Sequence, residues 1–169
     1  MRRSNLFENN KALIWVYSVL MFLPVILVFF FYNYYELDVL MFIGWTVFGV
    51  GFLLAFLAGY EFQKKGGVPE GKHLVHTTIL VNSGIYSIIR HPQYFGFILI
   101  VLGLALISQH WLIITSGVLG SLLFYSDLGT EEQANVEKFG IEYESYMMKV
   151  PRMNVFLGII RRIKERRIE

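Results

Sequence analysis

Cysteine is absent from this 169-residue chain, which excludes a disulfide framework, a thiolate nucleophile and any cysteine metal site. Charge is scarce as well: 17% of residues are Asp, Glu, Lys or Arg, too few to cover the surface of a soluble domain. The net charge of +2 is too small to imply a polyanion, so no nucleic-acid partner is expected. Proline occurs only four times, and long stretches run almost without charge. What fills the chain is apolar: 55% hydrophobic and 17% aromatic, with a mean hydropathy of +0.51. The solvent for such a chain is lipid, where every backbone polar group must pair within the protein, and helices do this locally. The expected fold class is an all-α integral membrane protein, with one membrane-embedded domain over 1–169.

Four apolar runs predict four crossings, over 12–32, 37–59, 94–108 and 111–126. The first contains Pro24, which predicts a kink; its length and the lack of a small-residue cleavage site argue against a signal peptide. The second interleaves Gly44, Gly49, Gly51, Ala55 and Ala58, small residues that let helices approach closely. Gly49-Val50-Gly51 lacks the third glycine of a dinucleotide fingerprint and reads as packing. Tyr60 to Pro92 reads as a large loop or surface segment. The last two runs are separated only by Gln109 and His110, and predict a tight hairpin with Gly96, Gly103, Gly117 and Gly120 along its arms. From Asp127 onward the chain turns polar and ends in FLGIIRRIKERRIE. Two readings of that tail stand: an amphipathic helix lying on an anionic membrane face, or a solvated helix end.

All fifteen lysines and arginines fall in the N-terminus, the middle segment and the C-terminal region, which four crossings place on one side. Both termini are therefore expected in the cytosol. His110 and Trp111, at the opposite turn, read as interfacial anchors. His73 and His76 are spaced as half a metal site, but no further ligands stand in a recognisable pattern, and no metal is expected.

The most informative stretch is Leu80 to Gly96, LVNSGIYSIIRHPQYFG, at the mouth of the predicted hairpin. Each polar residue there has a bland explanation by itself. Arg90 and His91 would snorkel, Tyr86 and Tyr94 would join an aromatic belt, and Pro92 would begin a helix. The spacing G-x-Y-x-x-x-R-H-P-x-Y-x-G from Gly84 to Gly96 is long enough to outweigh those readings.

At these residues the chain resembles the isoprenylcysteine carboxyl methyltransferase and phospholipid methyltransferase superfamily, whose signature joins an LVxxGxY segment to an RHPxYxG core. The resemblance extends to Glu131 and Glu132, Phe139-Gly140, Tyr143, Tyr146 and Val150-Pro151-Arg152, and covers roughly residues 78 to 152. It implies a membrane enzyme that transfers a methyl group from S-adenosyl-L-methionine to a lipophilic, membrane-partitioned acceptor. It further implies cofactor contacts from Thr78, Ile79, Leu80 and Val81, from Tyr86, from His91, Pro92, Gln93 and Tyr94, and from Glu131. These residue types suit the ligand, because tyrosine faces attract a sulfonium and a carboxylate holds an ammonium or a ribose hydroxyl.

Methyl transfer mainly requires alignment and exclusion of water. An anionic acceptor needs no base; for an amine, His91 or Glu132 is the candidate proton acceptor. The chain departs from the prenylcysteine enzymes at Asp127, where they carry the arginine that meets the substrate carboxylate. A carboxylate does not pair with a carboxylate, which weakens prenylcysteine as the substrate and leaves a lipid amine, another lipophilic acceptor or a thiol open; a carboxylate acceptor would need Arg90 or Arg152 as the replacement cation. Two other classes remain in view: a reductase using NADPH, related to the sterol reductases, and a non-enzymatic membrane scaffold. The oligomeric state is not legible.

Overall fold

A computed structural model describes residues 11–67, 77–165 and 167. The described residues are helical, with no strand among them: α1 Lys11–Leu27, α2 Asp38–Lys65, a 3-10 turn Gly84–Ser87, α3 Pro92–Ser108, α4 Trp111–Phe139, α5 Ile141–Lys149 and α6 Val155–Glu165. Two of them, α2 with 28 residues and α4 with 29, are long and apolar enough to cross a membrane; α1 and α3 are apolar but shorter. His73 and His76 lie outside the described residues.

Three helix boundaries differ from the sequence reading, each for a physical reason. Helix α2 continues through Lys65 and α4 through Phe139, because YEFQKK and DLGTEEQANVEKF change the polarity of the chain without introducing a proline, and the single Gly129 is outweighed by the Glu, Gln, Ala and Lys around it. The i,i+4 pair Glu61–Lys65, 3.4 Å apart, adds support at the end of α2. Conversely, α1 stops at Leu27 although the apolar run goes on to Tyr32. The backbone beyond it is taken up by tertiary partners: Asn33 and Tyr34 donate their N–H groups to the carbonyls of Ile107 and Ser108, at 3.1 and 2.9 Å. Helix α3 begins on Pro92, whose missing N–H costs nothing at the first helical position.

The helices group into two compact units. Among the described residues the first comprises 11–52 and 97–132, with α1, the first half of α2, most of α3 and most of α4. Small residues set its helix contacts. A Cβ on Gly44 would stand 2.8 Å from the Gly103 carbonyl oxygen, and one on Gly103 would stand 2.6 Å from the Phe48 nitrogen, so α2 and α3 cross backbone to backbone. Gly117 faces Val101 of α3, and Gly120 faces the backbone of Leu20 in α1. Large apolar side chains such as Phe22, Phe29, Phe42 and Leu122 point outward, an apolar surface too extensive for water.

One end of this unit is closed by a buried polar clasp rather than by interfacial anchors alone. Gln109, at φ +62°, donates to the Asn33 side-chain oxygen at 2.7 Å and to the Leu37 carbonyl at 3.0 Å, and accepts the Leu37 N–H at 3.2 Å. Ser108 donates to the Phe31 carbonyl at 2.6 Å, and the buried His110 ring stacks on Phe31 at 3.8 Å. Trp111 is exposed, as an anchor would be.

The second unit comprises 53–67, 77–96, 133–165 and 167. It holds the polar end of α2, the segment from Thr77 to Gly96, the last turns of α4, and α5 and α6. Its core has two parts, Ala58, Val81 and Tyr86 against Phe62 and Ile85, and Tyr143, Tyr146 and Val150 against Leu80, Val136, Phe139 and Met147.

Candidate active site

The motif segment is built outward from the end of α2. Thr78 and Ile79 donate their backbone N–H groups to the Gly66 carbonyl at 2.9 and 3.1 Å, and the Thr78 hydroxyl donates to the Gly67 carbonyl at 2.8 Å. These bonds satisfy carbonyls that a helix end leaves open. Thr77 is buried and accepts a hydrogen bond from Lys138 of α4 at 3.2 Å. Thr78 and Ile79 stay exposed, Leu80 is half-buried and Val81 is buried. The segment thus presents backbone at one end and an apolar wall at the other.

At Gly84 the chain turns with φ +62°, a region glycine enters without a Cβ penalty. The Glu61 carboxylate occupies the space a Cβ would need, and accepts the Ile85 N–H at 3.2 Å. Lys65 holds that carboxylate at 3.4 Å and donates to the Ser83 hydroxyl at 3.2 Å. Glu61 and Lys65 therefore cap the turn. The sequence reading passed over both, and the glycine that demands them was the only local signal.

The turn seats Tyr86 in the core. Its hydroxyl donates to the Ala58 carbonyl at 3.3 Å and its ring lies 5.9 Å from Phe62. Its own carbonyl accepts the Tyr146 hydroxyl at 2.6 Å, which ties the first motif block to the second. Burial, reinforced by Tyr143 and opposed by Arg90, pushes the Tyr146 phenol well above its ordinary value.

That shift carries a pH prediction. The unfolded tyrosine ionises near pH 10 while the folded one keeps its proton, so the stability it contributes is present below pH 10 and is lost as pH rises beyond it, by about 1.4 kcal/mol per pH unit. Tyr146→Phe should cost about 1 kcal/mol at neutral pH, the net worth of the hydrogen bond, and should flatten that alkaline loss. Thermal melts of both forms from pH 7 to about pH 11 check it; an unchanged alkaline slope would remove Tyr146 as its source.

Arg90 and His91 run alongside Pro151 and Arg152. The Arg90 N–H donates to the Pro151 carbonyl at 3.0 Å, and the His91 N–H to the Arg152 carbonyl at 3.2 Å. The Arg90 guanidinium donates to the Met147 carbonyl at 2.8 Å and to that of Val150, closing the carboxyl end of α5 where a cation also suits the helix dipole. His91 is buried, with its ring edge-on to Tyr94 at 5.6 Å and an interplanar angle of 78°. Pro92 is buried as the first residue of α3, and the half-buried Gln93 carries its amide nitrogen over Gly59 of α2.

Residues from both motif blocks, Thr78 to Tyr94 and Tyr143 to Arg152, thus fall in one unit. Glu131 and Glu132 belong to the other, in the last third of α4, with Glu132 buried and Glu131 half-buried. In that unit the Asp127 carboxylate accepts a hydrogen bond from Tyr17 at 3.0 Å, and the Tyr17 ring packs against Phe124 at 5.4 Å. Arg152 is half-buried, and its carbonyl is the partner of His91.

The profile of one family, described as Phospholipid methyltransferase, matches residues 39–142, more than half of the chain. The chain belongs to the phospholipid methyltransferase family. Among curated proteins, the Protein-S-isoprenylcysteine O-methyltransferase of Schizosaccharomyces pombe is 40% identical over 77 residues, 43% of this chain and 31% of the relative. The protein of the same name from Saccharomyces cerevisiae is 34% identical over 84 residues, 46% of this chain and 35% of the relative. The one from Xenopus laevis is 36% identical over 85 residues, 50% of this chain and 29% of the relative. The chain spans about a third of the length of these relatives. No solved structure matches it. As a member of the phospholipid methyltransferase family, the chain carries its motif residues in the segment the Arg90 and Tyr146 contacts hold together.

Proposed function

We propose that this chain is a single methyltransferase domain over 1–169, crossing the membrane four times, with the α3–α4 hairpin returning to the side it entered and both termini and the active site facing the cytosol. The observation that carries the reading is the joining of the two motif blocks through Arg90 and through the Tyr146–Tyr86 hydrogen bond, in a chain whose family profile is that of phospholipid methyltransferases. Four apolar helices and the one-sided distribution of lysine and arginine support the topology.

The residues fit an adenosyl ligand by their chemistry. Exposed backbone at Thr78 and Ile79 offers hydrogen-bonding groups beside the apolar Leu80 and Val81. Half-buried Gln93 and Tyr94 offer an amide and an aromatic face. S-adenosylmethionine would supply a methyl group activated by its sulfonium. In this reading Thr78 to Val81 and His91 to Tyr94 hold it, the resemblance alone adds Glu131, and Tyr86 and Arg90 keep the segment in shape from behind. The chain's own task is to align the acceptor, exclude water and, where the acceptor is an amine, take up a proton at His91 or Glu132, both buried.

The acceptor is lipophilic and reaches the domain from the bilayer. The carboxylate of Asp127, where an arginine meets the substrate acid in the resembling enzymes, favours an amine acceptor over a carboxylate. Arg152, a cation of the second block, would serve the acceptor's phosphate or acid group.

Calorimetric titration of the detergent-purified chain with S-adenosylmethionine, S-adenosylhomocysteine and NADPH tests this. Binding of the adenosyl ligands, with affinity falling at least about tenfold in Tyr94→Ala and Glu131→Ala, is the expected result, as the loss of one cation–π or charge-assisted contact. Binding of NADPH alone would replace the reading with a reductase, and binding of none of them by the folded chain would leave a scaffold.

A further inference from the structure

Helix α6, Val155–Glu165, is amphipathic in sequence, yet the side it turns to the protein is not its apolar one. Gly158 and Arg161 make close contacts with the protein. Gly158 is buried, and a Cβ there would overlap the Ile88 carbonyl, so the helix backbone rests directly on the motif segment. Arg161 donates to the carbonyls of Met148 and Lys149, both at 3.1 Å, at the end of α5. Asn154 caps the helix by accepting the Leu157 N–H at 2.9 Å. The apolar stripe faces away: Phe156 is 82% exposed, Ile160 52% and Ile163 49%. At 100° per residue, Phe156, Ile159, Ile160 and Ile163 share one face, opposite Arg161. Exposed Arg162 and Lys164 flank that stripe, and Arg167 follows it. Ile88, Ile159, Arg162 and Ile163 line a shallow apolar cleft of about 170 Å³.

We propose that α6 is an interfacial helix that seats its outward apolar face in the surface of a bilayer bearing anionic lipids. Charge complementarity selects the occupant. An exposed apolar stripe bordered by Arg162, Lys164 and Arg167 matches acyl chains below and phosphates beside it. The cleft beside Arg162 takes part of one acyl chain. The proposal goes beyond methyl transfer and does not rest on it, because lipid seating is read without substrate or cofactor.

The lack of cysteine makes the test direct. Phe156→Cys is labelled with an environment-sensitive fluorophore, and the whole chain is placed in nanodiscs of phosphatidylcholine alone or with phosphatidylglycerol added. Asn82→Cys, at an exposed polar residue outside α6, serves as the aqueous reference, and Ile160→Cys as a second site on the stripe. The expected result is blue-shifted emission from both α6 labels in the anionic discs, quenched by spin-labelled lipid and reduced by high salt, with no change at Asn82. Each basic side chain near an anionic surface favours the seated state by roughly fivefold, so Arg162→Glu with Lys164→Glu should lower the seated-to-unseated ratio more than tenfold. Emission from the α6 labels equal to that of the Asn82 label in both disc types would overturn the proposal. So would a blue shift insensitive to lipid charge, or one seen only with several chains per disc, which would assign the face to a second copy.

Discussion

Arg90→Ala should lower the thermal midpoint by about 10 °C, corresponding to roughly 3 kcal/mol in a chain of this size, and should remove adenosyl-ligand binding along with it. The guanidinium donates to the carbonyls of Met147 and Val150 at the end of α5. Hydrogen bonds from a charged donor contribute about 1.5–3 kcal/mol each, and a cation at a helix carboxyl terminus adds to this. Alanine would leave both acceptors without that donor and would loosen the paired segments Arg90-His91 and Pro151-Arg152. Arg90→Lys should recover part of the loss, because an ammonium keeps the charge but not the planar fork. Thermal melts beside calorimetric titration separate this positioning role from a catalytic one. A variant that melts like the parent, binds the adenosyl ligands and yet fails to turn over would return Arg90 to direct contact with the acceptor.

Gly84→Val should cost about 3 kcal/mol through two separable causes. A β-branched side chain is strained at φ +62°, and its Cβ would displace the Glu61 carboxylate that caps the turn through Ile85. Gly84→Asn tolerates the dihedral but still meets Glu61, whereas Glu61→Ala clears the space but leaves the dihedral. A double-mutant cycle on these positions apportions the two. Recovery in Gly84→Asn alone would assign the loss to backbone strain, and recovery of Gly84→Val by Glu61→Ala would assign it to the carboxylate. A Gly84→Val chain as stable as the parent would remove the turn from the structural account.

Much of the helical architecture was legible because a membrane chain announces it in one dimension. Apolar runs near α1, α2, α3 and the first half of α4 are visible without knowing any contact, as are the short break at Gln109-His110 and the motif from Gly84 to Gly96. Polarity is a poor guide to where such helices end. α2 and α4 outrun their apolar stretches because the residues that follow include no proline and enough Glu, Gln, Ala and Lys to carry the helix on. α1 falls short of its own because Ile107 and Ser108 claim the backbone beyond it. His110 and Gln109 have the composition of an interfacial turn, and only packing reveals that they are buried in a clasp with Phe31 and Asn33.

Class, apolar runs and motif could be read from the sequence alone, since those depend on local composition and spacing. The folded chain shows which partners the motif side chains take. The Arg90 guanidinium donates to a backbone carbonyl of α5 and the Tyr86 hydroxyl to one of α2, while Glu61 and Lys65, which belong to no motif, hold the turn. It also decided which face of α6 looks outward, since helical periodicity separates the apolar side from the basic side without saying which meets the protein. The physical reason is common to these cases. Hydropathy and spacing are properties of neighbours along the chain, whereas a hydrogen bond from Arg90 to Met147 joins residues 57 positions apart and exists only once the chain has closed on itself.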